Sequence, residues 1–325
     1  MKRFKKILGV VDLTQSPRML LDRAVKLAQN NQAELTIVCV VPALMKVIQS
    51  DGDIKLYSDL QEASIAEAQK KLDEAVDVYR DSSDIRTKVL LGTEFLEVIQ
   101  EVLRNQHDLV IKSPENPSWL DRIFGSDDMH LLRKCPCPVW MVKQSHTDTY
   151  RRILVAIDVH DNQLTQESDL SHELNMQLLE MAESLALSEF AELHVVHSWC
   201  AVGENTLQSL VVSHSETTAD NYIESTRALH SLAFDKITSE VFDGKEIDAS
   251  NYINPQKHLL KGTAEETIPR LSSDLEADLV VMGTLGRTGI PGFFIGNTAE
   301  AILEQINCSV MAVKPPGFTT PVSLD

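Results

Sequence analysis

Five of the chain's thirteen glycines fall in one stretch, Gly283 to Gly296, between an apolar run and a helical pattern. The run Asp278-Leu279-Val280-Val281-Met282 reads as a strand. Gly283-Thr284-Leu285-Gly286 follows and leads through Ile290-Pro291-Gly292-Phe293-Phe294-Ile295 to Gly296-Asn297-Thr298. Glycine lets a backbone approach a phosphate closely, and unpaired N–H groups of such a loop can point at it. The helix that starts after Gly296 would add positive partial charge. Asn297 or Thr298 can cap that helix, and Glu300, three positions after Asn297, makes a capping box available. Spacing alone leaves a second reading open, in which the glycines only permit turns.

A loop of this kind needs a sheet edge to hold it. Doubly wound sheets take ligands outside the carboxyl ends of their strands, where strand order reverses. In the second half of the chain that edge collects Asp158 after the first strand, Ser198 near the end of the second, and Met282 with its loop after the fourth. Asp158 is placed to contact a ribose, or to cap a local turn. Its counterpart Asp12 stands beside a loop that looks unable to bind, which leans toward the turn.

The counterpart exists because the chain repeats itself, the signature that decides architecture before any single motif. Lys5-Lys6-Ile7-Leu8-Gly9-Val10-Val11-Asp12 matches Arg151-Arg152-Ile153-Leu154-Val155-Ala156-Ile157-Asp158. Ala33-Glu34-Leu35 matches Ala191-Glu192-Leu193, Gly92-Thr93 matches Gly262-Thr263, and Asp108-Leu109-Val110-Ile111 matches Asp278-Leu279-Val280-Val281. The run from Cys137 to Lys143 matches that from Cys308 to Lys314. Five blocks in one order define a duplication, with domains at 1–146 and 151–316 joined through the polar stretch Gln144 to Tyr150.

Within the first copy, apolar runs predict strands at 6–11, 35–41, 86–91, 108–112 and 138–143, rich in Val, Ile and Leu as strands covered on both faces are. Helical patterns lie between them: one with Ser16 as N-cap and Pro17 at its first position, one over about 58–80, and one over about 94–105. Alternating strands and helices give a parallel sheet with right-handed crossovers. The expected fold class is α/β: two tandem doubly wound domains, each a five-stranded parallel sheet with helices on both faces. The second copy is longer at Asp161 to His172 and Ala201 to Asp220, which read as surface loops or helix extensions. The last strands of the two copies are edge candidates. They can pair with each other or with a second chain, so intramolecular domain pairing and a homodimer both stay open.

A formal net charge of −18 argues against nucleic-acid binding and against anionic membranes. The first apolar run, Ile7 to Val11, is too short for a signal peptide, and no run approaches a membrane span of about 20 residues. The expectation is a cytoplasmic protein, and five cysteines fit a reducing compartment. Cys135 and Cys137 form a CxC pair, open to redox or zinc readings; suitably spaced further ligands are missing, so strand entry is preferred and no metal cluster is expected. His194 and His197, three apart on a strand, face opposite sides and do not readily share a metal. The apolar stretch Ile290 to Ile295, with Trp119-Leu120 and Ile123-Phe124 in the other copy, reads as packing or as the lining of a pocket for an apolar ligand.

Gly, two residues, Gly, nine residues, Gly, then Ser or Thr is the nucleotide-binding pattern of the universal stress protein family, and Gly283, Gly286, Gly296 and Asn297 resemble it. The strands ending in Asp12 and Asp158, the Asp-Leu-Val-aliphatic strands and the Cys-x-Val entries extend the resemblance over nearly the whole chain. It implies a tandem member of the adenine nucleotide alpha hydrolase-like fold, cytoplasmic and stress-linked, without defined catalysis, some relatives binding ATP and some not. By resemblance, a cofactor, ATP or another adenine nucleotide, would contact Asp158, Ser198, Met282, Gly283, Gly286, Gly296, Asn297 and Thr298. Asn297 departs from the pattern by replacing a hydroxyl with a longer amide. The first copy departs further: Ser113 and Asn116 stand where glycines should, Pro114 and Pro117 remove donors, and only Gly125-Ser126 survives. No nucleotide is expected there. The competing readings are a ligand-sensing stress protein, a scaffold with vestigial sites, a carrier of an apolar or lipid-like ligand and, last, a slow ATPase, for which no base or arginine finger is evident.

Overall fold

The computed structural model describes residues 4–44, 51–115, 126–143, 149–159, 166–204, 216–243, 253–284 and 296–324. The first half contributes β1 (Lys6–Val10), α1 (Arg18–Asn31), β2 (Glu34–Val41), α2 (Asp51–Asp77), β3 (Ile85–Leu91), α3 (Glu94–Asn105), β4 (Leu109–Lys112), α4 (Ser126–Lys134) and β5 (Val139–Met141). The second contributes β6 (Arg152–Ala156), α5 (Gln166–Glu189), β7 (Glu192–Trp199), α6 (Glu216–Phe242), β8 (Gln256–Lys261), α7 (Ala264–Asp274), β9 (Leu279–Gly283), α8 (Asn297–Leu303) and β10 (Ser309–Val313).

The ten strands form one sheet in the order β3-β2-β1-β4-β5-β10-β9-β6-β7-β8. Strands are parallel within each half. The two last strands meet antiparallel, with Met311 opposite Trp140. Each half is therefore a doubly wound unit whose strand order reverses between its first and fourth strands, and the edge strands the sequence left unassigned join the halves into one sheet.

Period-two alternation puts neighbouring residues on opposite faces. Ile7, Ile37, Ile153 and Val195 pack under α1, α2, α5 and α6. Leu8, Val38, Leu154 and Val196 pack under α3, α4, α7 and α8. Both layers run across the seam. Buried Arg23 lies 3.6 Å over the Tyr150 ring and pairs with Glu189 of the other half, while Trp140 Nε1 donates to the Tyr150 hydroxyl at 3.2 Å.

The repeated Gly-Thr pairs have a backbone cause. Gly92 and Gly262 sit at φ +147° and +136°, and the following Thr93 and Thr263 are the N-caps of α3 and α7. A side chain disfavours that φ.

Two helix starts differ from expectation. The N-cap of α1 is Pro17 rather than Ser16, without a side-chain cap, because the Pro17 carbonyl already accepts the first helical bond from Leu21. Helix α2 begins at Asp51, well before the predicted position near 58.

Candidate functional site

The carboxyl edge between β6 and β9 is where the second half reverses strand order. Asp158 follows β6, half-buried, with its backbone locked by buried Asn175 of α5: Asn175 Nδ2 donates to the Asp158 carbonyl at 2.7 Å and Asn175 Oδ1 accepts from the Asp158 amide at 3.2 Å. Met282 is buried, and Gly283 closes β9. A Cβ on Gly283 would lie 2.9 Å from Leu174 Cδ2, so packing of α5 onto the strand end explains this glycine by itself.

Thr284 holds the base of the glycine-rich loop. Its amide donates to the Val313 carbonyl at 3.1 Å, and its own carbonyl accepts from the Gly296 amide at 2.9 Å. The two ends of the loop are thus tied together. Gly286 and the apolar run Ile290 to Ile295 lie outside the described residues, as do Asn116, Pro117, Trp119, Leu120, Ile123, Phe124 and Gly125 of the other half.

Beyond the loop, Gly296 is the N-cap of α8 (φ −62°, ψ 141°) and Asn297 and Thr298 are exposed in its first turn. No side chain caps the helix. The capping box that the spacing made available does not form; the Glu300 carboxylate instead pairs with Arg133 of α4 across the seam. Ser198 is engaged on the α7 face: its hydroxyl meets Thr267 Oγ1 of α7 at 2.6 Å, and Thr267 donates onward to the Thr263 carbonyl at 2.9 Å. The structure therefore gathers Asp158, Met282, Gly283, Gly296, Asn297 and Thr298 at one edge, and engages Ser198 with α7.

The matching edge of the first half, between β1 and β4, is built differently. Asp12 is used locally: Oδ1 accepts from the Thr14 amide at 2.8 Å and the Thr14 hydroxyl at 2.7 Å, and Oδ2 from Gln15 at 3.2 Å. This is an Asx turn, the turn-capping role foreseen as one option for Asp158. At the end of β4, Lys112 is buried with its Nζ 2.7 Å from Asp128 of α4 and 2.9 Å from Glu94 of α3. Asp128 is fully buried and its Oδ2 also accepts from the Glu115 amide at 2.9 Å. Burial opposes the charge on Lys112, but Asp128 and Glu94 outweigh it and raise the ammonium above its ordinary range. Burial and the nearby Asp128 push the Glu115 carboxyl up.

Glu94, Glu115 and Asp128 are the one carboxylate group among the described residues compact enough to hold a cation, and the Lys112 ammonium already supplies that charge. In the repeat alignment Lys112, Glu94 and Asp128 correspond to Met282, Ala264 and Ala299. The first half has filled the end of its fourth strand with its own ions, and the second half has uncharged residues there. Sequence reasoning missed this network; the signal was a lysine in one copy opposite a methionine in the other.

The two histidines of β7 face opposite sides, as their spacing requires. His194 Nδ1 lies 3.0 Å from His258 Nε2 on β8, and His197 Nε2 lies 2.8 Å from His230 Nδ1 on α6. A shallow cleft of 280 Å³ lined by Gln29, Gln32, Glu34, Ser83 and Arg86 lies at the amino ends of β2 and β3, the edge opposite to the one where such sheets take ligands.

The universal stress protein family model matches residues 3–143 and again 149–314. The chain belongs to the universal stress protein family. It is a tandem member, one family domain in each half of the sheet. It is 35% identical over 232 residues to Universal stress protein E of Escherichia coli K12, covering 71% of this chain and 68% of that protein. To Universal stress protein E of Photorhabdus laumondii it is 28% identical over 328 residues, 99% of this chain and 98% of the relative. Among solved structures, a protein of unknown function from Pseudomonas aeruginosa PAO1 aligns with a TM-score of 0.66 at 26% identity, covering 96% and 93% of the two chains. A universal stress protein from Archaeoglobus fulgidus shares the fold, with a TM-score of 0.57 at 17% identity over 96% and 97%. These relatives make this a stress-response protein of the universal stress type. Among the described residues, no helix is long and apolar enough to cross a membrane.

Proposed function

We propose that this protein is a non-catalytic, cytoplasmic ligand sensor whose second half takes an adenine nucleotide at the β6–β9 edge, and whose first half takes none. The observation that carries this reading is the contrast at the end of the fourth strand. Anion binding at the first-half edge would place phosphate beside Asp128, Glu94 and the half-buried Asp127 of the first turn of α4, and like charges at such separations repel. The second half presents Met282, Ala264 and Ala299 instead, with exposed Asn297 and Thr298 beside the tied loop. In this reading Asp158, its backbone locked by Asn175, is the residue that would meet the sugar.

The test transplants the first half's charge. Thr298 corresponds to Asp127 and is exposed, so Thr298→Asp leaves the core intact and suits a helix start. Native mass spectrometry of the purified full chain with added ATP should show an adduct that weakens at least about ten-fold in this variant, roughly one 1.4 kcal/mol step. An adduct unchanged by Thr298→Asp, or displaced by Asp127→Asn in the first half, overturns the reading.

A second reading, a scaffold with vestigial sites, is favoured by three contacts. Gly283 is accounted for by Leu174, Ser198 by Thr267, and the helix start by Gly296. Absence of any ATP adduct would select it, and protection of a fatty-acyl probe instead would select an apolar carrier.

A further inference from the structure

The CxC pair does more than open a strand. Cys135 follows α4 and Cys137 precedes β5, with Pro136 between them fixing the turn. Both sulphurs turn inward under the sheet, Cys135 at 0% exposure, and stand 3.6 Å apart. On the other side of the seam Lys314, 5% exposed, follows β10. Its Nζ donates to the Leu132 carbonyl in the last turn of α4 at 2.6 Å, while the Cys135 amide donates to the neighbouring Leu131 carbonyl at 2.9 Å. The same Nζ donates to Thr284 Oγ1 at 2.7 Å, at the root of the glycine-rich loop. A cation and two thiols are thus gathered at one helix end, from residues of both halves.

We propose that Cys135 and Cys137 are an oxidisable dithiol, converted by a small hydroperoxide such as hydrogen peroxide into an intramolecular disulfide, with Lys314 as the cation that favours the attacking thiolate. Burial raises the Cys135 thiol, but the hydrogen bond from Cys137 and the charge of Lys314 more than offset it and bring it below its ordinary value. The bond to Cys135, together with burial, raises Cys137 well above. One sulphur is therefore poised to attack and the other to resolve. Burial also pulls Lys314 down to about 7, opposed by Cys135, so it can hold or release a proton near neutrality. Cys39 and Cys308 are raised to about 11 by burial and serve as inert internal references.

The chemistry balances with one peroxide. The Cys135 thiolate attacks a peroxide oxygen; the S–O bond forms, the O–O bond breaks, and the departing hydroxide takes the proton Cys135 had given up, leaving as water. Cys137 then attacks the sulfenic sulphur; the S–S bond forms, the S–O bond breaks, and the hydroxyl leaves with the Cys137 proton as a second water. The dithiol loses two electrons and the peroxide gains them. The sulphurs must close from 3.6 Å to about 2.05 Å.

The experiment treats the folded full chain with hydrogen peroxide, then denatures, alkylates and maps it. The expected result is a peptide carrying Cys135 and Cys137 that is lighter by two hydrogens and unalkylated, with Cys39 and Cys308 fully alkylated. Cys137→Ser should abolish the bridge. Lys314→Met should slow bridging, because the cation that favours the Cys135 thiolate is gone, and Lys314→Arg should restore it. The bridge is read on the wild-type chain, so a variant that fails to fold leaves the test standing. If Cys135 and Cys137 stay alkylatable at doses that oxidise exposed Cys200, there is no such dithiol; bridging at the wild-type rate in folded Lys314→Met removes the lysine from it.

Discussion

Replacing Lys112 by methionine copies the second half's residue into the first, and the structure sets what this should cost. Lys112 has a side chain 5% exposed, between Asp128 at 0% and Glu94 at 27%. Removing the ammonium strands a fully buried carboxylate, whose remaining support includes the Glu115 amide. Breaking a buried pair by deleting one partner costs about 3–5 kcal/mol; with an amide bond left to Asp128, about 3 kcal/mol is expected. The triple variant Lys112→Met, Asp128→Ala, Glu94→Ala installs all three second-half residues. An apolar set of similar packing is often neutral against a buried ion cluster, so the triple should return to within about 1 kcal/mol of wild type, recovering about 2 kcal/mol of the single variant's loss. Urea unfolding at pH 7 measures all of these. The raised pKa of Lys112 fixes the sign with pH. Its stabilisation is complete below the ordinary value of 10.5 and is lost as pH rises through the folded value. A single variant within about 0.5 kcal/mol of wild type, or a triple variant as unstable as the single, refutes the view that these three ions act as one unit.

Other outcomes follow from the same contacts. Burial holds His107, His130, His194 and His258 below their ordinary value of 6.5; the unfolded chain then binds more protons below that value, so unfolding free energy should fall as pH drops from 6.5, and His258→Gln should flatten the slope in a pH series of urea melts. Gly283→Ala would meet the flexible end of Leu174 and should cost about 1 kcal/mol by urea melt; much of this should be recovered in the double variant with Leu174→Ala, measured against Leu174→Ala alone. Gly262→Ala, at φ +136° with Thr267 Cγ2 2.8 Å from the new Cβ, should cost about 1–3 kcal/mol in the same assay; a neutral result would show that the turn relaxes.

Strands and repeat were legible because both follow from local pattern. Runs of Val, Ile and Leu place β2 and β4 within a residue or so of where they stand, and α3 occupies 94–105 as its pattern says. Gly92 and Gly262 stood out by recurring, and the backbone shows why. What the sequence hid is what depends on distant residues meeting. Lys112 reads as a strand end until Glu94 and Asp128 arrive from two helices. Gly283 reads only as part of a phosphate loop, and its packing against Leu174 comes from a helix far off in sequence. Glu300 reads as a capping-box residue until Arg133 claims it across the seam. Cys135 and Cys137 read as strand entry because Lys314, which gives them chemistry, belongs to the other repeat.

The central claim is that one half binds and the other is self-filled. Isothermal titration of the intact chain with ATP tests it most directly. One nucleotide per chain is expected, lost or strongly weakened in Thr298→Asp and unchanged in the Lys112→Met, Asp128→Ala, Glu94→Ala triple variant. Two nucleotides per wild-type chain, or none at millimolar ATP where about 4 kcal/mol of binding would already register, contradicts it.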